Sequence, residues 1–581
     1  MELINTNEKF ILTNRKKNVL VIEKQNNEIY VGAEFNKINE GERVSNQTSI
    51  AGFIGIANLL SGNYLIVFRD SKRVGDVLGN EIYQIKAVEL IPYHPNQQSL
   101  VSIPEQHSEE QHLEMIRWLL NSKDFYYCPN SVEFDVTQTL QRWNTIKDQK
   151  KPIWETADPR FFWNSDYLER VIKLAKSTNN NEVCQWIVPI FMGFVETGTL
   201  NGKVEFTLIS RRNLNRAGTR YYVRGIDKEG NVANNVETEQ IIQISKDTYS
   251  SFVQVRGSIP LFWSQFPDLK YKPKVQFYGT QQENDRPLSI HFNQLNQIYG
   301  NVTAVNLIDR KGSELALGNA FEKGVKDLKS EKTRFVWFDF HKECAKMRYD
   351  KIQILIDLIK PDIDKNSYFY VRHGQVVSRQ TGIIRTNCID NLDRTNVVQS
   401  IITRNSLTNQ LDQLKLESSV FSDNHFNGIF KNIWANHGDT ISLQYSGTGA
   451  LKNDFTRTGK RSLRGVIRDG ENSLARYYLN NFRDGVRQDS FYLFTHHNDI
   501  DLANHVERGS VGPSPIFYFL VILLLAFVFW WSYPIHPIAS VIFWVGLLFI
   551  LKKIAFKYNR EIVDKPRLFP LESSYPLKRN L

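Results

Sequence analysis

Cysteine is scarce in this chain. Its 581 residues hold four, Cys128, Cys184, Cys344 and Cys388, far apart and with no CxxC pair. That excludes a disulfide framework and metal-type thiol spacing, and it fits reduced cytosolic thiols. The first nine residues include acids and no apolar stretch, so no signal peptide is visible. No internal repeat is present either. Charge is absent altogether from 509 to 551, where no Asp, Glu, Lys or Arg occurs.

What is there is a folded, mildly basic chain. Hydrophobic residues make up 41% and charged residues 23%, which excludes wholesale disorder. The net charge is +10, and the last thirty residues carry half of it. A nucleic-acid binder would show its basic patch within a folded domain. Here the basic residues abut an apolar run, which points to a membrane instead.

That run divides in two. Residues 516–531 are apolar without interruption, Pro534 and Pro537 follow, and 538–551 are apolar again. A bilayer core takes about 20 helical residues per span, and proline breaks a helix. Two transmembrane helices within 515–551, turning at the prolines, are the simplest reading. The turn carries Trp530, Trp531 and Tyr533 and no cation, whereas Lys552, Lys553, Lys557 and Arg560 follow the second span. The positive-inside rule then puts both termini in the cytosol, with 552–581 a basic cytosolic tail. Lys578 and Arg579 resemble a dilysine retrieval signal of endoplasmic reticulum membrane proteins, which makes a coat complex an expected partner.

Ahead of the membrane end, 18–93 reads as strands (NVLVIEKQ, EIYVGAEF, NYLIVFRD, EIYQIKAVELIPY), and 110–120 as a helix. This gives a β-rich N-terminal module over 1–175. Strands and helices then mix over 176–495, an α/β pattern (α+β overall), and 496–514 is a polar linker. At 3.3 Å per residue that linker would reach roughly 60 Å when extended.

The chemistry concentrates in GIIRTNCIDNLDRTNVVQS, 382–400. Gly382 to Thr386 suits a buried strand, and Val397, Val398, Ile401 and Ile402 start a helix. Between them lies Cys388, then Arg394 six residues on, then Thr395. A strand, a tight loop and a helix start together form an anion cradle. The cradle lowers a thiol's pKa and makes it a nucleophile. Arg394 offers a planar fork to two phosphoryl oxygens, and Thr395 a hydrogen bond to the sulfur. Those parts describe a cysteine phosphatase that needs no metal or cofactor.

The octapeptide CIDNLDRT (388–395) closely resembles the CxxNxDRT signature of Sac-domain phosphoinositide phosphatases. So do DPRFFWN (158–164), LISRRNLNRAGTRYYVRGID (208–227), NVETEQII (235–242), SFVQVRGSIPLFWSQ (251–265), FDFHKECAKMR (338–348) and the stretch 434–461. The two C-terminal spans are similar to the family's integral-membrane branch. The resemblance implies a β-rich Sac module packed on a catalytic domain, resident in endoplasmic reticulum and Golgi membranes. It implies hydrolysis of phosphatidylinositol 4-phosphate, with the 3-phosphate secondary.

Roles follow as expectations. Cys388 attacks phosphorus and Arg394 grips the phosphoryl group, with Ile389, Asn391 and Leu392 as phosphate-binding positions of the loop. The general acid is Asp390 or Asp393; analogy with myotubularin lipid phosphatases favours Asp393. Among the outer cations, Arg211 and Arg212, and Lys460 and Arg461, are candidates to face the anionic lipid surface, or else belong to solvated salt-bridged strands. Two rival functions are a protein tyrosine phosphatase, disfavoured because Asn387 rather than His precedes the cysteine, and a catalytically silent lipid tether, which would not need the thiol.

Overall fold

The structure, a computed structural model, describes residues 1–32, 44–129, 134–147, 151–200, 204–414, 424–458, 462–496, 499–502, 515–532 and 537–569. Its first five strands are β1 (Glu2–Thr6), β2 (Lys9–Thr13), β3 (Val19–Glu23), β4 (Ile29–Gly32) and β5 (Val44–Ser49). They form one antiparallel sheet in the order β4-β3-β2-β1-β5. Both of its faces are buried: Phe10, Leu12, Leu20 and Ile22 pack to one side, Ile11, Val19 and Val21 to the other. That is why KFILT and VLVIE are continuous apolar runs rather than alternating ones.

The remaining strands build a 13-stranded mixed sheet. Its antiparallel arm comprises β6 (Gly52–Leu59), β7 (Gly62–Val77), β8 (Asn80–Pro92), β9 (Phe125–Tyr127), β10 (Ile190–Leu200), β11 (Val204–Arg212), β12 (Val236–Ser245) and β13 (Thr248–Arg256). A small separate hairpin follows, β14 (Trp263–Ser264) with β15 (Gln276–Phe277). Beyond β13 the pairing turns parallel, through β16 (Asn301–Asn306), β17 (Thr333–Trp337) and β20 (Gly382–Asn387), in the order β17-β16-β20-β13. The short strands β18 (Phe369–Arg372) and β19 (Gln375–Ser378) hang on β13. The expected division at 175 falls inside the helix Glu169–Thr178, and the sheet continues unbroken from β9 to β10.

Helix α1 (Ile103–Leu120) packs its Leu113, Ile116, Leu119 and Leu120 into the core of the antiparallel arm. The parallel strands are covered on both faces. Ile383 of β20 meets α2 (Gln281–Tyr299) and α3 (Gly312–Asp327) through Phe292 and Phe321. Its neighbour Ile384 points the other way, onto α4 (Ile352–Asn366) and α5 (Asp393–Gln413), among Leu355, Ile359, Val398 and Ile402. Successive side chains on a strand point to opposite faces, so the adjacent apolar pair Ile383 and Ile384 is what a two-sided cover requires.

Four longer helices follow: α6 (Asn424–Ser446), α7 (Leu463–Phe482), α8 (Asp484–Thr495) and α9 (Pro515–Ser532). The last long helix is α10 (Pro537–Lys557). Leu502 still lies in the core, so the body extends past the expected linker start at 496. Among the described residues no helix is long and apolar enough to cross a membrane. Helices α9 and α10 nonetheless sit where two spans are expected, with Phe529 against Trp544 at 6.3 Å between ring centroids. Both contain positions whose side chains lie outside the description. After α10 the chain returns to the body, where Val563, Asp564 and Leu568 are buried.

Candidate active site

Cys388 follows β20 directly and Asp393 opens α5, so the loop sits at the carboxyl edge of the parallel strands. Ligands favour that edge in open α/β sheets, where helix N-termini and loops converge. The loop is tightly bonded to itself. Cys388 donates its backbone N–H to Asn391 Oδ1 at 3.0 Å, and the Asn391 N–H points back at Cys388 Sγ at 3.1 Å. Asn391 holds φ = 56°, a left-handed turn that asparagine tolerates better than most residues.

Arginines brace the loop from outside. Asp390 is gripped by Arg220 (Nε 3.1 Å, Nη2 2.7 Å) and by Arg224 Nη2 at 2.5 Å. Arg224 Nη1 also donates to the Ile389 carbonyl at 2.9 Å. Burial alone would raise the pKa of Asp390, but the two guanidiniums outweigh it and hold the carboxyl well below its usual range. Behind the loop lies Arg256, which donates to Asn396 Oδ1 and Gln399 Oε1. Burial lowers its pKa to about 9, opposed only by the charge of Cys388.

Asp393 has the opposite environment. Burial raises its pKa, against the pull of Arg476 and an N–H from Leu451 at 3.0 Å. Arg394 is anchored by one corner. Its Nη1 donates to the Leu307 carbonyl at 3.2 Å and lies 3.6 Å from Asp309 and 3.5 Å from Glu314. Burial opposes its charge, yet Cys388, Glu314 and Asp309 together raise its pKa. Asp309 is itself held by His341 Nδ1 at 2.7 Å. The Nε and Nη2 donors of Arg394 meet no acceptor among the described residues, which leaves one whole edge of the fork for a ligand.

These groups meet at a cavity of about 520 Å3, lined among others by Cys388, Asp390, Leu392, Asp393 and Arg394. Residues 50–345 match the SacI homology domain family. Three relatives extend the match. One is "Phosphatidylinositol-3-phosphatase SAC1-A" of Danio rerio, 40% identical over 543 residues and 90% of each chain. A second is "Phosphatidylinositol-3-phosphatase SAC1" of Drosophila melanogaster, 38% identical over 90% of this chain and 89% of the relative. The third is "Phosphoinositide phosphatase SAC6" of Arabidopsis thaliana, 38% identical over 84% and 82%. The chain belongs to the SacI homology family.

Within this SacI homology fold the loop residues fall into two groups. Cys388, Asp390, Leu392, Asp393 and Arg394 line the cavity; Ile389, Asn391 and Thr395 do not. Asn391 serves the loop's own hydrogen bonds, and Thr395 Oγ1 is buried with no partner among the described residues.

The outer arginines require correction. Arg211 and Arg212 are each 1% exposed and face no surface. Arg211 pairs with Glu237 and Glu239, both at 3.1 Å, and donates to the carbonyls of Val136 and Gln138. Arg212 stacks on Phe491 and donates to the carbonyls of Gly218 and Gln444. A buried guanidinium needs such partners for its donors, and the neighbouring strand and loops supply them. Lys460 and Arg461 lie outside the described residues, as do Lys578 and Arg579.

Sequence reasoning missed Asp309 and Glu314, which hold Arg394, His341, which holds Asp309, and the cavity-lining Lys346 and Lys452. Arg220 and Arg224 lie in the quoted segment 208–227, which gives no sign that they are the partners of Asp390. Each of these contacts joins residues far apart in sequence, and no local pattern announces them.

Proposed function

We propose that this chain hydrolyses the phosphomonoester of phosphatidylinositol 4-phosphate, and of the 3-phosphate, through a phosphocysteine on Cys388. The coarser statement rests on family membership: this is a phosphoinositide phosphatase of the SAC1 type. The observation that carries the finer reading is the convergence of the Cys388 thiol, the free edge of Arg394 and the raised-pKa carboxyl of Asp393 on one cavity.

The steps follow from those positions. Cys388 Sγ attacks phosphorus while Arg394 Nε and Nη2 hold two non-bridging oxygens. The bond from phosphorus to the inositol oxygen breaks, and Asp393 gives that oxygen its proton. Water then attacks the phosphocysteine and gives a proton to the now ionised Asp393, the phosphorus–sulfur bond breaks, and inorganic phosphate leaves with the thiolate restored. Thr395 Oγ1 makes no hydrogen bond to Cys388 Sγ among the described residues, so the expected bond to the sulfur is not part of the proposal. Asp390, held ionised by two arginines, cannot supply a proton near neutral pH.

The same reading makes α9 and α10 a membrane hairpin. Trp530, Trp531, Ile538 and Ile542 are each more than two-thirds exposed, a degree of apolar exposure that water does not favour. The chain enters α9 from the body that holds Leu502, and after α10 it docks on that same body through Asp564 and Leu568. Two crossings return the chain to the side it left, which is what supports the hairpin. A single span would separate the two attachments. Residence in endoplasmic reticulum and Golgi membranes and coat recognition of Lys578 and Arg579 complete the proposal.

Phosphate release from phosphatidylinositol 4-phosphate, the 3-phosphate and a phosphotyrosine peptide, measured beside Cys388→Ser, tests it. The lipids should be turned over, the peptide spared and the serine variant dead. Preference for the peptide would sink the lipid assignment.

A further inference from the structure

Four basic residues line the catalytic cavity: His341, Lys346, Arg394 and Lys452. Arg394 is committed to the monoester, and His341 to Asp309. Lys346 and Lys452 remain. Both are exposed, and neither has an ion-pair partner among the described residues. They come from separate loops, one after β17 and one after α6.

Both also have left-handed backbones, φ = 55° at Lys346 and 59° at Lys452. Such a conformation is strained for a non-glycine residue, and strained residues cluster at functional sites. Each is fixed by its surroundings. The Arg348 N–H closes a turn onto the Ala345 carbonyl over Lys346, at 3.3 Å. The Lys452 N–H is held by both oxygens of Asp469, at 2.9 and 3.1 Å, while its neighbour Leu451 donates to Asp393. Lys452 is thus one residue from the group that contacts the general acid.

We propose that Lys346 and Lys452 form a second anion subsite, which takes the phosphodiester joining inositol to glycerol. The inference rests on the phosphoinositide reading above. A phosphatidylinositol monophosphate carries two anionic groups, and the monoester must enter first to reach Cys388, which is only 2% exposed. The diester trails toward the bilayer, so it lies at the mouth, where the two exposed lysines are. Lysine suits this task better than arginine. Its point charge on a flexible stem follows a diester whose direction from the monoester differs between 3- and 4-phosphates. The subsite therefore selects for the diester while tolerating both isomers.

The experiment compares three substrates for the full-length protein and its Lys346→Gln/Lys452→Gln double variant. They are soluble dioctanoyl phosphatidylinositol 4-phosphate, inositol 4-phosphate, which lacks the diester, and phosphatidylinositol 4-phosphate in vesicles. The double variant should lose about tenfold in kcat/KM on the dioctanoyl lipid, mainly through KM, and stay within about twofold on inositol 4-phosphate. Lys346→Arg/Lys452→Arg should restore most of the loss. Equal losses on both soluble substrates, or no loss on either, would overturn the subsite. A loss confined to vesicles would also overturn it, because it would mean general attraction to an anionic surface. A parent protein that turns over none of the three overturns the phosphatase reading, and the subsite with it.

Discussion

Arg220 Nη2 lies 2.7 Å from Asp390 Oδ2, across 170 residues of chain. Arg224 closes the same carboxylate from its other oxygen. A turn after β11 is thereby welded to the catalytic loop, and Asp390 becomes a fixed anion rather than a proton donor. Asp390→Asn should lower unfolding stability by about 3 kcal/mol, because it removes the negative charge that two largely buried guanidiniums share. The sign of the pH dependence follows from the depressed pKa of Asp390. Its contribution is fully present above its unfolded pKa of about 4, and is lost as falling pH protonates the folded carboxyl. Thermal melts against pH, for the parent and the variant, check both statements.

Asp393 should show itself through the leaving group. Its raised pKa keeps more of it protonated, so activity should fall as pH rises through that value. Asp393→Asn should cost about 100-fold or more in kcat on phosphatidylinositol 4-phosphate, whose alkoxide is a poor leaving group. On p-nitrophenyl phosphate, whose leaving group needs no proton, the loss should be far smaller. An equal loss on both would give Asp393 a purely structural part.

Asp309 and Glu314 hold one corner of Arg394 and leave its other edge free. Asp309→Asn/Glu314→Gln should therefore weaken inhibition by orthovanadate and lower kcat/KM by about tenfold, with little change in melting temperature. Vanadate inhibition within about twofold of the parent would show that Arg394 needs no such clasp.

The segment after α10 is held by main-chain bonds. Asp489 accepts the N–H groups of Arg567 and Leu568 at 2.8 to 2.9 Å, and Asp564 accepts that of Val486 at 3.0 Å. Gly485 makes room for it, since a Cβ there would come within 2.5 Å of the Lys565 backbone. Gly485→Val should release this strap and expose Lys565 and Arg567 to trypsin. Without the strap only 503–514 would tether the body, a reach of about 40 Å. Turnover of lipid in a second, tethered vesicle should then rise relative to lipid in the protein's own vesicle.

The strand, loop and helix around Cys388 were legible because their signals are local. The strand read over 382–386 and the stripe of Val398 and Ile402 need no knowledge of the rest of the chain, and both appear as β20 and α5. The strands of 18–93 were legible for the same reason. Arg211 was misread because charge density says nothing of depth. Its partner Glu237 stands directly opposite on β12, a register that only the folded sheet defines. Asp309 and Glu314 escaped notice because they reach Arg394 from another strand end. The parallel order β17-β16-β20-β13, which brings them together, has no signature in composition or periodicity.

The central claim is a covalent phosphocysteine on Cys388. Acid-quenching the full-length protein within milliseconds of mixing with phosphate-labelled phosphatidylinositol 4-phosphate, followed by peptide mapping, tests it most directly. The account predicts label on the peptide carrying Cys388, forming more slowly in Asp393→Asn because that variant cannot protonate the leaving inositol oxygen, and none in Cys388→Ser. Full turnover by Cys388→Ser, or label on any other residue, would contradict it.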